Sequence, residues 1–306
     1  MKMKKLFILS AALFCAVSLS AKELKVLMIG NSFSNSVQVH LPKVVKASGK
    51  HRLILGSASI GSCTFERHCA NIDKEQKDPK FKAYRFACTG EKSRPESVTF
   101  ALKYKKWDIV TIQQASGYSY LKEKTLAPAA KLIAYIKKLA PQAEIVIQQT
   151  WAWRTDFRKF HSQKEKLTQE MMYKGLVENY NELAKIHKLR IIPVGTAVQL
   201  FRQKLPVKSV KYTQEQIDAL KEPRVMDLTG GDVVGWMRWV KNKKKPGKSI
   251  YIDAAHLNNK GTYLQGCVWY MVLFDEPVSS IKLPFKDKSR ALLLQCADEA
   301  VKQYKK

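Results

Sequence analysis

The chain switches repeatedly between two hydrophobic patterns. Short apolar runs of strand length are followed by stretches in which apolar positions recur every three or four residues, as on one face of a helix. The first run is Leu24-Lys-Val-Leu-Met-Ile29. It predicts a strand buried on both faces. A tight turn at Gly30-Asn31-Ser32 follows, then a helix with Val37, Leu41, Val44 and Val45 inward. A second strand is read at 51–58, opening into a Gly-led loop, Gly61-Ser-Cys-Thr-Phe-Glu-Arg-His68. Residues 69–92 are polar and irregular, with Pro79 and many lysines. The pattern Ser93-Arg-Pro-Glu96 resembles a capping box and predicts a helix start, with Val98, Ala101 and Leu102 facing the core.

Three more strands follow at 107–112, 143–147 and 189–194, with helices predicted over 125–140, 164–188 and from 195 to 202. Pro193 suits an edge strand. Ile-Gln-Gln closes both the third and the fourth strand. Residues 204–250 break the alternation with Thr213-Gln-Glu-Gln216, Gly230-Gly231 and the basic run Lys241-Asn-Lys-Lys-Lys-Pro246. They are read as a lid-like insertion with short helices. An apolar helix over 262–274 and an amphipathic one over 287–304 end the chain. Five strands alternating with helices predict a doubly wound α/β fold. With no obvious linker, residues 22–306 are read as one domain.

The first 21 residues stand apart. Met1-Lys-Met-Lys-Lys5 is basic, residues 6–19 are apolar but short for a bilayer span, and Ser18-Leu-Ser-Ala21 offers small residues for cleavage. This reads as a signal peptide, so the mature protein is expected to be exported, to the periplasm or beyond the cell. Phe14 before Cys15 argues against a lipoprotein site. No later run is long enough for a membrane helix. The net charge is +28, and +25 without Lys2, Lys4 and Lys5. Export argues against nucleic acid as the partner. The lysines are spread along the chain, which suits a solvated surface, and an anionic glycan is the alternative partner. Six cysteines leave five after Cys15. Pairing of Cys63 with Cys69 or Cys88 is open, an odd count leaves one unpaired, and no spacing resembles a zinc site.

Two short motifs carry chemistry. Ser32 lies just past the first strand at the start of a helix, where open α/β sheets bind ligands and free backbone N–H groups can receive an oxyanion. It reads either as a helix cap or as a nucleophile. Asp253-Ala-Ala-His256 precedes the apolar helix, on a predicted loop. A carboxylate three residues before a histidine can hold its imidazole, leaving the other ring nitrogen to take a serine proton.

Gly30-Asn-Ser-Phe-Ser34, Gly61-Ser-Cys63 and Asp253-Ala-Ala-His256 in this order resemble the SGNH (GDSL-type) hydrolases, and in particular a secreted bacterial branch reading Gly-Asn-Ser-Phe-Ser whose function is mostly unassigned. The similarity runs from about residue 24 to 274. It implies a flavodoxin-like three-layer α/β/α fold with a five-stranded parallel sheet. It also implies Ser32, His256 and Asp253 as a triad, and oxyanion donors from Ser32, Gly61 and a side-chain amide after the third strand. There the usual Gly-x-Asn-Asp is replaced by Gln113-Gln-Ala-Ser116, and strand alternation favours Gln114 over Gln113 as the donor. Glu66 and His68 lie just beyond the second motif, and either reach the cleft or make ordinary loop contacts. Trp151 and Trp153 either face a sugar or pack in the core. Gln113, Glu66, Trp151 and Trp153 are the candidate substrate contacts.

The function read from these residues is an exported serine esterase removing acyl groups such as acetate from carbohydrate. No metal or organic cofactor is implied. The alternative is a catalytically weak or inactive glycan-binding protein on the same fold. A lipid or thioester hydrolase ranks below both, because 204–250 is lysine-rich rather than greasy.

Overall fold

The computed structural model describes residues 21–162, 166–205, 213–219, 231–241 and 248–305. The predicted signal peptide, apart from Ala21, and much of the 204–250 stretch lie outside them.

The elements in chain order are β1 (Glu23–Gly30), α1 (Ser32–Asn35), α2 (Val37–Ser48), β2 (Arg52–Ser59), α3 (Phe65–Lys77), β3 (Tyr84–Cys88), β4 (Arg94–Glu96), α4 (Val98–Lys103), β5 (Ile109–Ile112), α5 (Lys122–Leu139), β6 (Glu144–Gln148), α6 (Gln169–His187), β7 (Arg190–Ile192), α7 (Val194–Lys204), α8 (Gln214–Asp218), β8 (Val234–Lys241), β9 (Lys248–Leu257), α9 (Asn259–Phe274) and α10 (Arg290–Tyr304). The central sheet is ordered β4-β3-β2-β1-β5-β6-β7. β2, β1, β5, β6 and β7 are parallel. Counted among themselves they run 2-1-3-4-5, the flavodoxin-like order, whose switch point lies between the first and third strands. That point falls at the ends of β1 and β5.

The continuous apolar run of β1 follows from its central place. Val26 and Met28 enter the core under α2, α7, α9 and α10, whereas Leu27 and Ile29 enter the core under α3, α4, α5 and α6. The result is a three-layer α/β/α sandwich. Helix α9 is nearly all buried, which explains its apolar composition on every side. None of the helices among the described residues is long and apolar enough to cross a membrane.

The sheet has seven strands rather than five. The added β3 and β4 are antiparallel and extend the edge beyond β2. The stretch read as irregular conceals α3, started by the Thr64 side chain accepting from Arg67 N–H, and β3, whose Tyr84, Phe86 and Cys88 face inward with Arg85 and Ala87 between them. Arg94–Glu96 is strand rather than the start of a helix. The cap is Ser97, whose hydroxyl accepts from Phe100 N–H. Where 204–250 is described, β8 pairs antiparallel with β9 in a separate ribbon, so strand replaces part of the expected helical insertion. Cys63, Cys69, Cys88, Cys267 and Cys296 are all free thiols.

Candidate active site

At the end of β1 the chain has no room for a side chain. A Cβ on Gly30 would sit 2.4 Å from the Ser34 hydroxyl and 3.2 Å from Gln113 Cγ. Asn31 then leaves the strand extended and caps α1, its Oδ1 accepting from Phe33 N–H at 3.0 Å. Ser32 is the first residue of that helix, with its N–H among those a helix start leaves without an intrahelical partner.

Ser32 Oγ lies 2.8 Å from His256 Nε2. On the other side of the ring, Nδ1 is 2.7 Å from Asp253 Oδ2. Asp253 Oδ1 accepts from the backbone N–H of His256 at 2.8 Å and of Ala255 at 2.9 Å. Burial pushes the Asp253 carboxyl up, but the hydrogen bonds from the His256 ring and from those two N–H groups outweigh it and hold it below the usual carboxylate range. An ionised Asp253 fixes the proton on Nδ1, so Nε2 is free to accept from the serine. The His256 side chain is 41% exposed and open to an incoming substrate.

The histidine is steadied from below. Its ring packs edge-on to Phe33 at 5.4 Å, and Phe33 stacks flat on Trp151 at 4.1 Å. Trp151 Nε1 donates to the Ala255 carbonyl at 2.8 Å, which ties β9 to the end of β6. Asn258 caps α9 through Lys260 and Gly261 N–H, while its amide donates to the carbonyls of Asp232 and Gly235. Gly261 must be glycine, since a Cβ there would lie 2.2 Å from the Val233 carbonyl. Asp232 is buried in an ion pair with Arg202 of α7, so the base of the β8–β9 ribbon is held from two helices.

The turn after β2 lies alongside, because Gly30 and Ser59 are register partners. Ile60 N–H donates to the Gly30 carbonyl, Cys63 N–H returns to Ile60, and Ser62 adopts φ 53°. Asn31 Nδ2 donates to the Cys63 carbonyl at 3.1 Å, so the residue before the serine also fastens this turn. Gly61 is exposed at its tip. Burial pushes the Cys63 thiol of this turn up to about 12, which keeps it protonated.

The profile of a family described as "Domain of unknown function (DUF4886)" matches residues 25–210, more than half of the chain. The chain belongs to the DUF4886 family. The crystal structure of a DUF4886 protein from Bacteroides uniformis is 25% identical, with a TM-score of 0.68 over 91% of this chain and 95% of that one. A candidate SGNH hydrolase from Slackia heliotrinireducens is 16% identical, with a TM-score of 0.46 over 80% of this chain and 96% of that one. A candidate GDSL-like lipase from Parabacteroides merdae is 10% identical, with a TM-score of 0.44 over 82% and 95%. At that level of similarity the last two bear on no point of chemistry. Comparison with curated protein sequences gives no match. Asp253 and His256 lie beyond the residues matched by the DUF4886 profile, and Ser32 and Gly61 lie within them.

In this DUF4886 chain the glutamines after β5 are not where the sequence reading put them. Gln113 and Gln114 do turn to opposite sides, but both are 0% exposed. Gln114 Nε2 donates to the Lys124 carbonyl at 2.6 Å, and its Oε1 accepts from Phe65 and Ala115 N–H. Its amide is therefore committed to fastening α3 and α5 and is removed from the oxyanion role. Gln113 Nε2 donates to Asn31 Oδ1 at 2.7 Å, and its Oε1 accepts from Ser34 Oγ at 2.8 Å and from Gln148 Nε2. It holds the turn that carries Ser32 from behind and is closed off from solvent. Strand alternation separates the two side chains, but the end of β5 is still inside the sandwich, so neither side is solvent.

Trp151 is 0% exposed, and Trp153 is buried against Phe157 with its Nε1 on Ser116 Oγ at 3.0 Å. Neither presents a face to a sugar. Glu66 is exposed in the first turn of α3, paired with Lys124 at 3.2 Å. His68 is fully buried with Nδ1 2.9 Å from the Tyr84 hydroxyl, and burial followed by the Arg67 charge pushes its pKa down to about 3.

The sequence reading missed a buried amide network behind the serine. Gln148 Nε2 and Gln265 Nε2 both donate to the Phe33 carbonyl, while Gln148 Oε1 accepts from Gln265 and from Trp269 Nε1. Its signals were the repeated Ile-Gln-Gln and a single glutamine inside an otherwise apolar helix. No cluster of His, Cys, Asp and Glu among the described residues could hold a metal ion.

Proposed function

We propose that this chain is an exported serine hydrolase of the SGNH type that removes acyl groups, acetate foremost, from carbohydrate esters. The observation that supports the reading is the line Asp253–His256–Ser32, with both hydrogen bonds under 3 Å. In the proposed reaction His256 Nε2 takes the Ser32 proton as Oγ attacks the ester carbonyl. The tetrahedral oxyanion is received by the backbone N–H groups of Ser32 and Gly61. Collapse breaks the bond to the sugar oxygen, which takes the proton from His256 and leaves as the hydroxyl, and an acyl-serine remains. Water, deprotonated by His256, then releases the carboxylic acid and restores Ser32.

Residues 1–21 support export, and the aligned triad supports an ester substrate. The carbohydrate leaving group rests on the resemblance to SGNH esterases and on the anionic-glycan reading of the charge. The 204–250 stretch is retained as a lid over the site. A fluorophosphonate probe is expected to label the wild type and not Ser32→Ala, and acetate release from acetylated glycans is expected to follow the same pattern. Equal labelling of both proteins removes the reading. The commitment of Gln113 and Gln114 to structure favours one rival, a weak or inactive glycan binder, which predicts glycan binding with no labelling at all.

A further inference from the structure

The ribbon that carries Asp253 and His256 continues away from the triad, and one of its faces is not ordinary strand surface. Trp236 is the register partner of Asp253, and Arg238 the partner of Tyr251. Partners and alternate residues share a face. Asp253, Trp236, Arg238 and Tyr251 therefore lie on the same side of the ribbon, with Tyr251 about 7 Å along the strand from the triad carboxylate. The Arg238 guanidinium carbon is 5.6 Å from the Trp236 ring and 5.5 Å from the Tyr251 ring, and the two rings are 5.7 Å apart. Tyr251 is 46% exposed and Arg238 is also exposed. Arg238 has no carboxylate partner among the described residues.

Building on the hydrolase reading, we infer that this face is the subsite for the leaving-group sugar and that the sugar is acidic. Tyr251 and Trp236 supply apolar faces for a pyranose ring. Between them, Arg238 supplies the planar donor set that matches a carboxylate, as on C6 of a uronic acid. Attachment to the strand bearing Asp253 puts the subsite at the edge of the triad rather than on a remote surface. The excess of positive charge in the chain suits an anionic substrate.

The test compares acetylated methyl galacturonoside with acetylated methyl galactoside, which differ in a carboxylate against a hydroxymethyl group. The wild type is expected to favour the uronoside by about tenfold or more in kcat/KM, as a charge-assisted bond to carboxylate allows. In Arg238→Gln the ratio should fall to about one. A merely structural cation–π contact would alter both substrates alike and leave the ratio standing. A wild-type ratio near one, or a preference that survives in Arg238→Gln, overturns the inference. Hydrolysis of p-nitrophenyl acetate and titration of Ser32→Ala with trigalacturonate separate this failure from that of the hydrolase reading. No hydrolysis of any ester, with Arg238-dependent binding of trigalacturonate, sinks the hydrolase and keeps the subsite. Hydrolysis of p-nitrophenyl acetate with no such binding does the reverse.

Discussion

Replacing Asn31 by Asp changes a single buried side-chain group, and the structure expects that change to harm the protein. Asn31 is buried and uses both ends of its amide. Oδ1 accepts from Phe33 N–H and Gln113 Nε2, and an Asp oxygen can keep both bonds. Nδ2 donates to the Cys63 carbonyl at 3.1 Å, and an Asp can only oppose that carbonyl with a second acceptor. Leaving a buried acceptor unpaired costs about 1–3 kcal/mol. The buried charge adds to this, offset in part by the two donors, for a total on the order of 2–4 kcal/mol. In a domain of this size that is a fall in Tm of roughly 5–15 °C. The turn that Cys63 anchors also carries Gly61, so a shift there loosens one proposed oxyanion donor, and complete loss of such a donor costs ~10²–10³ in kcat. Asn31→Asp should therefore unfold earlier by circular dichroism and lose about tenfold or more in kcat on p-nitrophenyl acetate. A Tm within about 2 °C of wild type together with a kcat within about twofold would refute the anchoring argument.

Three other substitutions test neighbouring contacts. In Asp253→Asn the carbonyl oxygen would take the two backbone N–H groups and turn the amide toward His256, forcing Nδ1 to accept and Nε2 to carry the proton; kcat should fall by roughly 10³–10⁴ with the fold retained, and a smaller loss in stopped assays would argue against a base at His256. His68 has a folded pKa of about 3 against an ordinary 6.5, so its protonation favours the unfolded chain. Its contribution is full above pH 6.5 and is lost as pH falls toward 3; wild type should lose about 2 kcal/mol more than His68→Gln between pH 8 and pH 5 in urea melts. Asp232→Ala strands Arg202 in the core and should cost about 3–5 kcal/mol in the same melts, whereas a cost under about 1 kcal/mol would mean that the pair is dispensable.

What was legible in the sequence tracks what burial imposes on it. β1 must be apolar on both faces because helices cover both, so Leu24 to Ile29 reads as a central strand without further context. β3 carries its inward residues at Tyr84, Phe86 and Cys88 with arginine and alanine between, and a five-residue edge strand in a lysine-rich stretch gives no comparable signal. β8 and β9 were unreadable for a related reason. Their tryptophans, lysines and glycine make no clean alternation, and the base of the ribbon is fixed by Asn258 and by Arg202 of α7, which bonds Asp232 from a distant part of the chain. The approach of Ser32, His256 and Asp253 was legible because two short motifs and their order constrain it. The facing of Gln113 and Gln114 followed from alternation, but their depth did not, since depth is set by how far α3, α5 and α1 reach over the end of β5.

That depth bears on how the proposed site would stabilise charge. Three buried glutamines, Gln113, Gln148 and Gln265, converge behind Phe33 and Asn31, and their Nε2 groups donate to the Phe33 carbonyl and to Asn31 Oδ1. Where the resemblance implies a side-chain donor, this chain has instead a rigid support for the turn that carries Ser32. The donors left for the proposed oxyanion are the backbone N–H groups of Ser32 and Gly61. Both depend on Asn31, through its cap on α1 and through its bond to Cys63, and Ser62 is held there at φ 53°, a conformation a non-glycine residue adopts only under restraint. With two donors in place of three, the same triad would run slower by the ~10²–10³ that one such donor is worth, unless the rigid backing recovers part of it by fixing the two that remain.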